Sequence, residues 1–379
     1  MITRPRTTGQ SDTNSLFDMN RGRYPLPSRR FLGITGLLLA ATAAPVNASV
    51  TTYYGVQAQL WKPVNRLMKM DYDWTHSRFY VQYNANNNGW GPPQYATIDL
   101  ATQTLTHFAT TSGADWETLF TVLPTSWGSV PANTMLVPQG GGGAVLAIDP
   151  SGNVSTFASG LPGGGAGPTN YSTARINPNF DLIYANEGTG HVIRIDSTGS
   201  PVWSTVVPRR DGLVGRPEAV ITLGTNPRWG TYQNSILIGE NDVTTNIWQL
   251  DYATGAVGFP SPDLGAALGR TAETFRIYHN NLALYLSIHN GPNSTIWQLT
   301  NLAAIPNVQD GDLFVAVEQL FGGQVWHVYF DPLGNLVTQK IVEIPGDGFL
   351  EDMVFAPVPE PGTAAGLLLG ALFLTVRRR

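Results

Sequence analysis

Glutamate recurs in four segments that open with glycine and continue as an apolar strand, three or four residues after the glycine. A fifth segment of the same kind, GPTNYSTARI, has Asn170 in place of the glutamate. Carboxylate and amide oxygens are hard ligands that suit calcium or magnesium. The side chains are expected to converge as an acidic ring, whose repulsion must be offset by a cation, by positive side chains or by protons. The ring then either binds a metal ion or another ligand, or consists of structural glutamates that are solvated or paired with Arg216 and Arg270. The segments GADWETLF, GRPEAVITL, GRTAETFRI and GDGFLEDMVF carry Glu117, Glu218, Glu273 and Glu351.

A second repeated phrase indicates what positions these residues. It is an apolar strand that ends in aspartate, followed by a turn and another strand. Asp99, Asp149, Asp196 and Asp251 are spaced 50, 47 and 55 residues apart, and Thr300 takes the same place in a fifth copy. A period of about 50 residues with three or four strands is typical of a β-propeller blade. The aspartates are expected to cap the turns through their own backbone.

The fold class predicted from these repeats is all-β, a β-propeller over residues 49–357. Six blades is the preferred count, and five or seven are also compatible with the spacing. The segment 312–344 is read as a compact unit that lacks the aspartate. The last strand, residues 349–356, is expected to complete the first unit, because no inner strand is evident before that unit.

Composition excludes several classes of function. The 379 residues include no cysteine, so disulfides, thiolate metal sites and a cysteine nucleophile are excluded. The net charge is −5 and the body of the chain has no run of Lys or Arg, which argues against nucleic acid as a partner. The six histidines show no zinc-ligand spacing, and no nucleophile elbow or phosphate loop is present.

Several tryptophans fall in Gly-, Asn- or Pro-rich segments that are read as loops. Trp90, Trp127 and Trp229 are candidates for stacking on sugar rings, since an exposed indole offers a flat apolar surface. A protein that meets extracellular polysaccharide would use such residues for binding.

The N-terminus has the features of an export signal. Arg29 and Arg30 precede the apolar run Phe31–Ala44, and small residues up to Ala48 form a cleavage site before Ser49. Residues 1–48 are therefore predicted to be a signal peptide. The paired arginines resemble a twin-arginine signal, which leaves the export route open between that pathway and the general secretory one.

The C-terminus combines a Pro-Glu-Pro motif, a short apolar segment and three arginines. The apolar segment Thr363–Val376 has 14 residues, fewer than the roughly 20 of a comfortable membrane span. Residues 358–379 resemble the PEP-CTERM sorting signal of Gram-negative bacteria. That resemblance implies a transient inner-membrane helix at 363–376, cleavage by an exosortase, and delivery to the cell surface or the exopolysaccharide matrix. The motif residues are Pro359, Glu360, Pro361, Arg377, Arg378 and Arg379.

Two functions are compatible with these features. The first is an exported surface or matrix protein, most simply a non-catalytic propeller that binds polysaccharide or another ligand. The second is a hydrolase, lactonase or lyase that uses the acidic ring with calcium or magnesium, one glutamate acting as general base. The ring resembles, in architecture only, six-bladed propellers of the gluconolactonase type, in which inner-strand acidic and amide residues hold a divalent metal.

Overall fold

The computed structural model describes residues 49–84, 92–111, 118–139, 141–163, 172–176 (backbone), 181–209, 213–241, 246–319, 322–346 and 348–359. Within these ranges the chain is almost entirely β-structure. The exceptions are one short helix, α1 (Leu264–Leu268), and the 3-10 turns Pro227–Tyr232 and Leu302–Ala304. No helix in the described ranges is long and apolar enough to cross a membrane. The predicted signal peptide, and the sorting signal from Glu360 onward, lie outside the described residues.

Two short strands open the described chain, and both lie at outer edges of a sheet built mainly from the C-terminal third of the protein. They are β1 (Thr51–Thr52) and β2 (Gln57–Pro63). Next along the chain comes a four-stranded antiparallel sheet, here called the first sheet, in which consecutive strands are neighbours. Its strands are β3 (Leu67–Asp73), β4 (Arg78–Tyr83), β5 (Gln94–Asp99) and β6 (Leu105–Thr110).

Three further sheets repeat this plan. Before them in the chain lies a short strand, β7 (Thr118–Leu119), which pairs in parallel with the first strand of the third of these four sheets. The second sheet contains β8 (Thr121–Val122), β9 (Met135–Gln139), β10 (Ala144–Ile148) and β11 (Val154–Ala158). The third contains β12 (Ser172–Ile176), β13 (Leu182–Asn186), β14 (His191–Ile195) and β15 (Pro201–Val206). The fourth contains β16 (Pro217–Thr222), β17 (Ser235–Glu240), β18 (Ile247–Asp251) and β19 (Val257–Gly258).

The remaining strands form one nine-stranded sheet made of two interleaved runs. One run has the order β20-β23-β24-β25-β1 and the other β26-β21-β22-β2; a single parallel pair, Gly322 with Phe349, joins them. The strands are β20 (Thr274–Ile277), β21 (Leu282–His289), β22 (Thr295–Thr300), β23 (Leu313–Gln319), β24 (Gly322–Phe330), β25 (Leu336–Pro345) and β26 (Phe349–Pro357).

The strand pairing corrects one expectation about closure. Strand β26 pairs with β21 and does not complete the first sheet, which already has its own first strand in β3. The sequence pattern hid β3 because its segment LMKMDYD mixes charged residues with buried ones. The ends of the described chain meet differently from the prediction: β2, from the N-terminal side, pairs with β22.

The repeated aspartates cap turns, as predicted. Each one is the last residue of the third strand of its sheet or directly follows that strand. Asp149, for example, accepts hydrogen bonds from the backbone of Ser151 and Asn153. Gly152 in the same turn has φ +88°, which favours glycine. The expectation that the 312–344 unit lacks this aspartate is wrong, because Asp331 makes the same contacts with the backbone of Leu333 and Asn335.

Apolar clusters lie between successive sheets and follow one another around a closed circuit. Clusters separate the first sheet from the second, the second from the third, and the third from the fourth. Others lie between the fourth sheet and the β20 run, between the two runs, and between the β26 run and the first sheet. Each sheet is therefore buried on both faces, which explains why every residue of a strand such as β13 is buried. The arrangement is propeller-like, and it brings the first strands together at its centre.

Candidate functional site

Three glutamates of the predicted ring converge on one lysine. The ammonium of Lys69, on β3, donates hydrogen bonds to a carboxylate oxygen of Glu273 and, at 3.0 Å, to Oε2 of Glu351. It also donates to the main-chain carbonyl of Glu351 at 2.8 Å. Oε1 of Glu218 lies 4.0 Å from the same nitrogen. The other two predicted members, Glu117 and Asn170, lie outside the described residues.

The backbone around Lys69 explains how a lysine reaches this position. The register between β3 and β4 shifts between Leu67 and Met70, and Lys69 lies within that irregularity. Such bulges redirect a side chain without ending the strand. Lys69 is only 1% exposed, and a buried ammonium is tolerated only where charged and polar partners surround it.

Two further glutamates approach the cluster from the ends of second strands. Glu187 directly follows β13 and is 1% exposed. One of its oxygens pairs with the guanidinium of Arg216, whereas Oε2 has no hydrogen-bond partner in the described part of the chain. Glu318, on β23, is partly exposed.

Antiparallel pairing accounts for this meeting of first-strand and second-strand residues. The start of a first strand lies opposite the end of the second, as in the pairs Pro217 with Glu240 and Phe349 with His289. Both sets of side chains therefore reach the same edge of the sheets. We call the resulting group the glutamate cluster, and its members are Lys69, Glu187, Arg216, Glu218, Glu273, Glu318 and Glu351.

Burial and mutual repulsion change the acidity of the cluster. Burial raises the pKa of Glu187 to about 8, and the charge of Arg216 offsets only part of that rise. Burial likewise raises the pKa of Glu273 to about 7, although Lys69 favours its ionised form. For Glu318, burial with repulsion from Glu273 and Glu351 raises the pKa to about 9. The cluster therefore retains protons at neutral pH.

The calcium or magnesium site stays a prediction, because Glu117 and Asn170, two of its five predicted members, lie outside the described residues. Among the described residues, no three His, Cys, Asp or Glu side chains are arranged to hold a metal ion. Lys69 places an ammonium between Glu273 and Glu351, where a metal between those carboxylates would lie. The charge of the ring is offset by a lysine from β3 and by the protons that the glutamates retain. Arg216 pairs with Glu187 and not with Glu218.

The predicted exposure of two sugar-stacking candidates, Trp127 and Trp229, is wrong, because both side chains are buried. Trp127 is 4% exposed and packs against Phe157, with ring centroids 5.1 Å apart. Trp229 is also buried, and its indole nitrogen donates to the carbonyl of Gly311 at 2.8 Å. Both indoles stabilise packing because the segments that carry them fold inward over the sheets. Trp90 lies outside the described residues. Trp74, in the turn between β3 and β4, is 50% exposed.

Sequence reasoning missed three members of the glutamate cluster. Lys69 has a usable signal, because it is a lone cation within an otherwise buried strand. Glu187 and Glu318 both lie at the C-terminal end of a second strand, just before a glycine-containing loop. The segments are ANEGTG and VEQLFGG. A comparison of second-strand ends across the repeats would have found them, as the comparison of first-strand starts found Glu218, Glu273 and Glu351.

Comparison with known proteins gives no family assignment. No protein-family model and no curated protein sequence matches the chain. Among solved structures, a catalytically inactive virginiamycin B lyase from Staphylococcus aureus with quinupristin is 14% identical, with 76% of this chain and 74% of that chain covered and a TM-score of 0.44. An auxiliary nutrient binding protein from Bacteroides ovatus is 12% identical, with coverage of 80% and 69% and a TM-score of 0.42. At TM-scores this low, the likenesses carry no argument about function.

Proposed function

We propose that this chain is an exported binding protein of the cell surface or exopolysaccharide matrix of a Gram-negative bacterium. Its propeller-like body acts without catalysis and recognises its ligand at the glutamate cluster. The observation that carries the proposal is the composition of that cluster: among the described residues, five carboxyl groups face two cations, and a buried oxygen of Glu187 has no hydrogen-bond partner there. Because these carboxyl groups outnumber the described cations, the cluster is neutral only while it holds protons, and a cationic ligand can take their place.

The extent of the folded body supports the proposed processing. The first described strand begins at Thr51 and the last ends at Pro357, so all described strands lie between the two terminal signals. Removal of residues 1–48 and cleavage near Pro359 would leave every strand pair intact. The body is proposed to have six blades, the nine-stranded sheet counting as two, since its two runs each have four main strands.

The tail is proposed to hold the exported protein briefly at the inner membrane. Arginines after an apolar segment stay on the cytoplasmic side, so Arg377–Arg379 would leave Pro359 outside. An exosortase would then cleave near Pro359–Pro361 and release the body towards the surface, where extracellular polysaccharide is the expected partner.

Mass spectrometry of the protein recovered from each cell fraction tests this processing. The expected mature termini lie near Ser49 and Pro359, and replacement of Pro359 and Glu360 by alanine should retain the tail and the membrane location. Recovery of the intact chain from the cytoplasm would refute the proposal. For binding, the protein should sediment with insoluble polysaccharide extracted from the producing cells and leave that polysaccharide undegraded.

One observation favours a second candidate, a hydrolase, lactonase or lyase. The pKa of Glu273, about 7, is close to the value that suits a general acid or base at neutral pH. Release of soluble fragments from the polysaccharide, abolished by Glu273→Gln, would support this enzyme. We prefer the binding function because Glu273 is 3% exposed and already paired with Lys69, so a substrate would first have to disrupt that pair.

A further inference from the structure

The glutamate cluster has more acidic than basic groups within a short distance. In the part of the chain that the structure describes, its acidic groups are Glu187, Glu218, Glu273, Glu318 and Glu351, and the basic groups that face them are Lys69 and Arg216. Glu240 adds a further buried carboxyl group beside Arg216, whose backbone N–H donates to it at 3.3 Å. Because buried carboxylates repel one another strongly, such a group is stable only if protons or an added cation offset the excess.

Buried polar atoms next to the cluster point to a missing partner. Oε2 of Glu187 is buried and has no hydrogen-bond partner among the described residues. Asn246 is fully buried, and neither its side-chain oxygen nor its nitrogen has a partner there. Asn246 lies beside Glu240, since the main-chain carbonyl of Asn246 accepts a hydrogen bond from the backbone N–H of Glu240 at 3.3 Å. Leaving such atoms unsatisfied costs free energy, which a ligand can recover.

The site also has a route to solvent. The side chain of Arg216 is 45% exposed although the carboxylate it pairs with is only 1% exposed. Glu318 is partly exposed as well. A charged group can therefore approach Glu187 and Glu318 without displacing Lys69.

We propose that the glutamate cluster binds its ligand through a primary ammonium group and that binding releases protons from the cluster. The inference rests on the proposed binding function and specifies the chemical class of the ligand. The sources of such a group are a polysaccharide that contains free amino sugars and a small polyamine. An ammonium brings charge and three N–H donors, which satisfy several carboxylate oxygens at once.

Lys69 shows how the cluster accommodates an ammonium. Its nitrogen bonds to one oxygen of Glu273, one of Glu351 and one main-chain carbonyl. Glu187 Oε2 and the carboxyl group of Glu318 offer the same kind of acceptors to a second ammonium. Calcium would instead need six to eight oxygens at about 2.3–2.6 Å, an arrangement that no described side-chain group provides.

Proton release follows from the electrostatics of the cluster. Burial holds the pKa of Glu187 near 8 and that of Glu318 near 9, so both carry protons at neutral pH. An ammonium placed against them favours their ionised forms, and the protons leave as it binds. Binding of putrescine should therefore strengthen as the pH rises from about 6 to about 8, because its alkyl ammonium groups, like that of lysine, stay charged over this range.

Isothermal titration calorimetry on the purified protein tests the proposal with four probes. The probes are a glucosamine trimer, the matched N-acetylglucosamine trimer, putrescine and calcium chloride. We expect binding of the glucosamine trimer or putrescine, and which of them binds identifies the source of the ammonium. The acetylated trimer has the same rings without the charge and should not bind. Equal binding of both trimers, or no binding of either amine, would overturn the proposal.

The number of protons released is measured with putrescine in buffers of different ionisation enthalpy. A net release near about pH 7, smaller above about pH 9, is expected because the carboxyl groups are then already ionised. Binding without any release at the lower pH would contradict the inference. Calcium binding in the absence of amine binding would replace it with a metal site.

Conservative variants locate the site. Glu318→Gln and Glu187→Gln should each weaken amine binding by about tenfold or more, which corresponds to about 1.4 kcal/mol. Glu343→Gln is the matched control, because Glu343 pairs with Lys340 at the protein surface and away from the cluster. Unchanged affinity and proton release in Glu318→Gln, with a native circular dichroism spectrum, would overturn the assignment.

Failure of this inference is distinguishable from failure of the proposed function. If the protein is exported, processed and sediments with polysaccharide but binds neither amine, the proposed function stands and the proposed ligand class is refuted. A protein that binds amines with proton release but stays in the cytoplasm retains the ligand class and loses the location.

Discussion

The ammonium nitrogen of Lys69 lies 3.0 Å from Oε2 of Glu351, although the two residues are 282 positions apart in the chain. Lys69 belongs to the first strand of the first sheet, and Glu351 belongs to β26, the last strand of the protein. The same strands are joined a second time, because the backbone N–H of Met70 donates to Asp352 at 3.1 Å. These contacts link β26, the last strand of the chain, to the first sheet and place a charged pair between them.

Replacing Lys69 by methionine should strongly destabilise the protein. The change leaves Glu273 and Glu351 buried without their cation, and loss of one partner of a buried ion pair costs about 3–5 kcal/mol. The free energy of unfolding from denaturant titration measures the effect. The loss should be smaller at about pH 5 than at about pH 8, because the abandoned carboxyl groups can then take up protons.

Lys340→Met provides the control for that change. Lys340 pairs with Glu343 at 2.8 Å, but both side chains are substantially exposed. Exposed pairs contribute about 0–1 kcal/mol, so this variant should unfold almost like the wild type. Equal losses in the two lysine variants would show that the charge of Lys69 is not what stabilises the junction.

Stability should decrease as pH rises from weakly acidic to alkaline values. The pKa values of Glu273, Glu187 and Glu318 are raised in the folded state to about 7, 8 and 9 from an ordinary 4.5. Between those limits the folded protein binds more protons than the unfolded chain, so the free energy of unfolding falls with pH. The contribution is complete below about pH 4.5 and is lost once the pH passes the folded-state values.

Denaturant titrations across this window measure the slope. Glu318→Gln cannot titrate and should flatten the upper part of the curve, whereas Glu343→Gln should leave its shape unchanged. The turn aspartates do not contribute to the slope in this pH window, because hydrogen bonds lower the pKa of residues such as Asp149 below its ordinary value. Stability that rises steadily with pH through the window would contradict the proton-holding cluster.

The repeats in the sequence allowed much of the architecture to be predicted. Asp149 and its equivalents identified the turn after each third strand, since a carboxylate that caps its own turn depends only on neighbouring residues. The glycine-led segments likewise identified Glu218, Glu273 and Glu351 as convergent. Local chemistry repeats with the sheets, so it is visible without a structure.

Long-range pairing could not be predicted in the same way. β26 lies beside β21, and β20 pairs with β23 although β21 and β22 lie between them in the chain. Both pairings depend on which strand edges are free once the other sheets have formed. Lys69 was missed because its partners lie hundreds of residues away. The exposure of Trp127 was misjudged for a related reason: a Pro- and Gly-rich segment marks a loop, but tertiary packing decides whether that loop covers the core.

Trp127→Ala should destabilise the protein, and Trp74→Ala should not. Truncation of a buried tryptophan costs about 3–5 kcal/mol, and Trp127 fills the space between the second and third sheets. Trp74 is half exposed, so its removal should change stability by no more than about 0.5 kcal/mol. Thermal and denaturant unfolding measure both. If polysaccharide binding uses an indole in the described residues, Trp74→Ala should weaken sedimentation with polysaccharide.

Two equivalent glycines test how closely the sheets pack. Gly152 and Gly334 occupy the same place in the aspartate turns, with φ +88° and +81°. A Cβ on Gly152 would lie 2.0 Å from the carbonyl oxygen of Phe108 on the neighbouring first sheet, whereas a Cβ on Gly334 meets nothing within 4 Å. Gly334→Ala should therefore cost only the left-handed backbone strain, about 1–2 kcal/mol.

Gly152→Ala adds a steric conflict that only movement of one sheet against the other can relieve, so its loss of unfolding free energy should clearly exceed that of Gly334→Ala. Denaturant titration of the two variants side by side isolates the difference, because the backbone strain is common to both. A similar loss in both variants would mean that the turn of the second sheet is not packed against the first as closely as the structure shows.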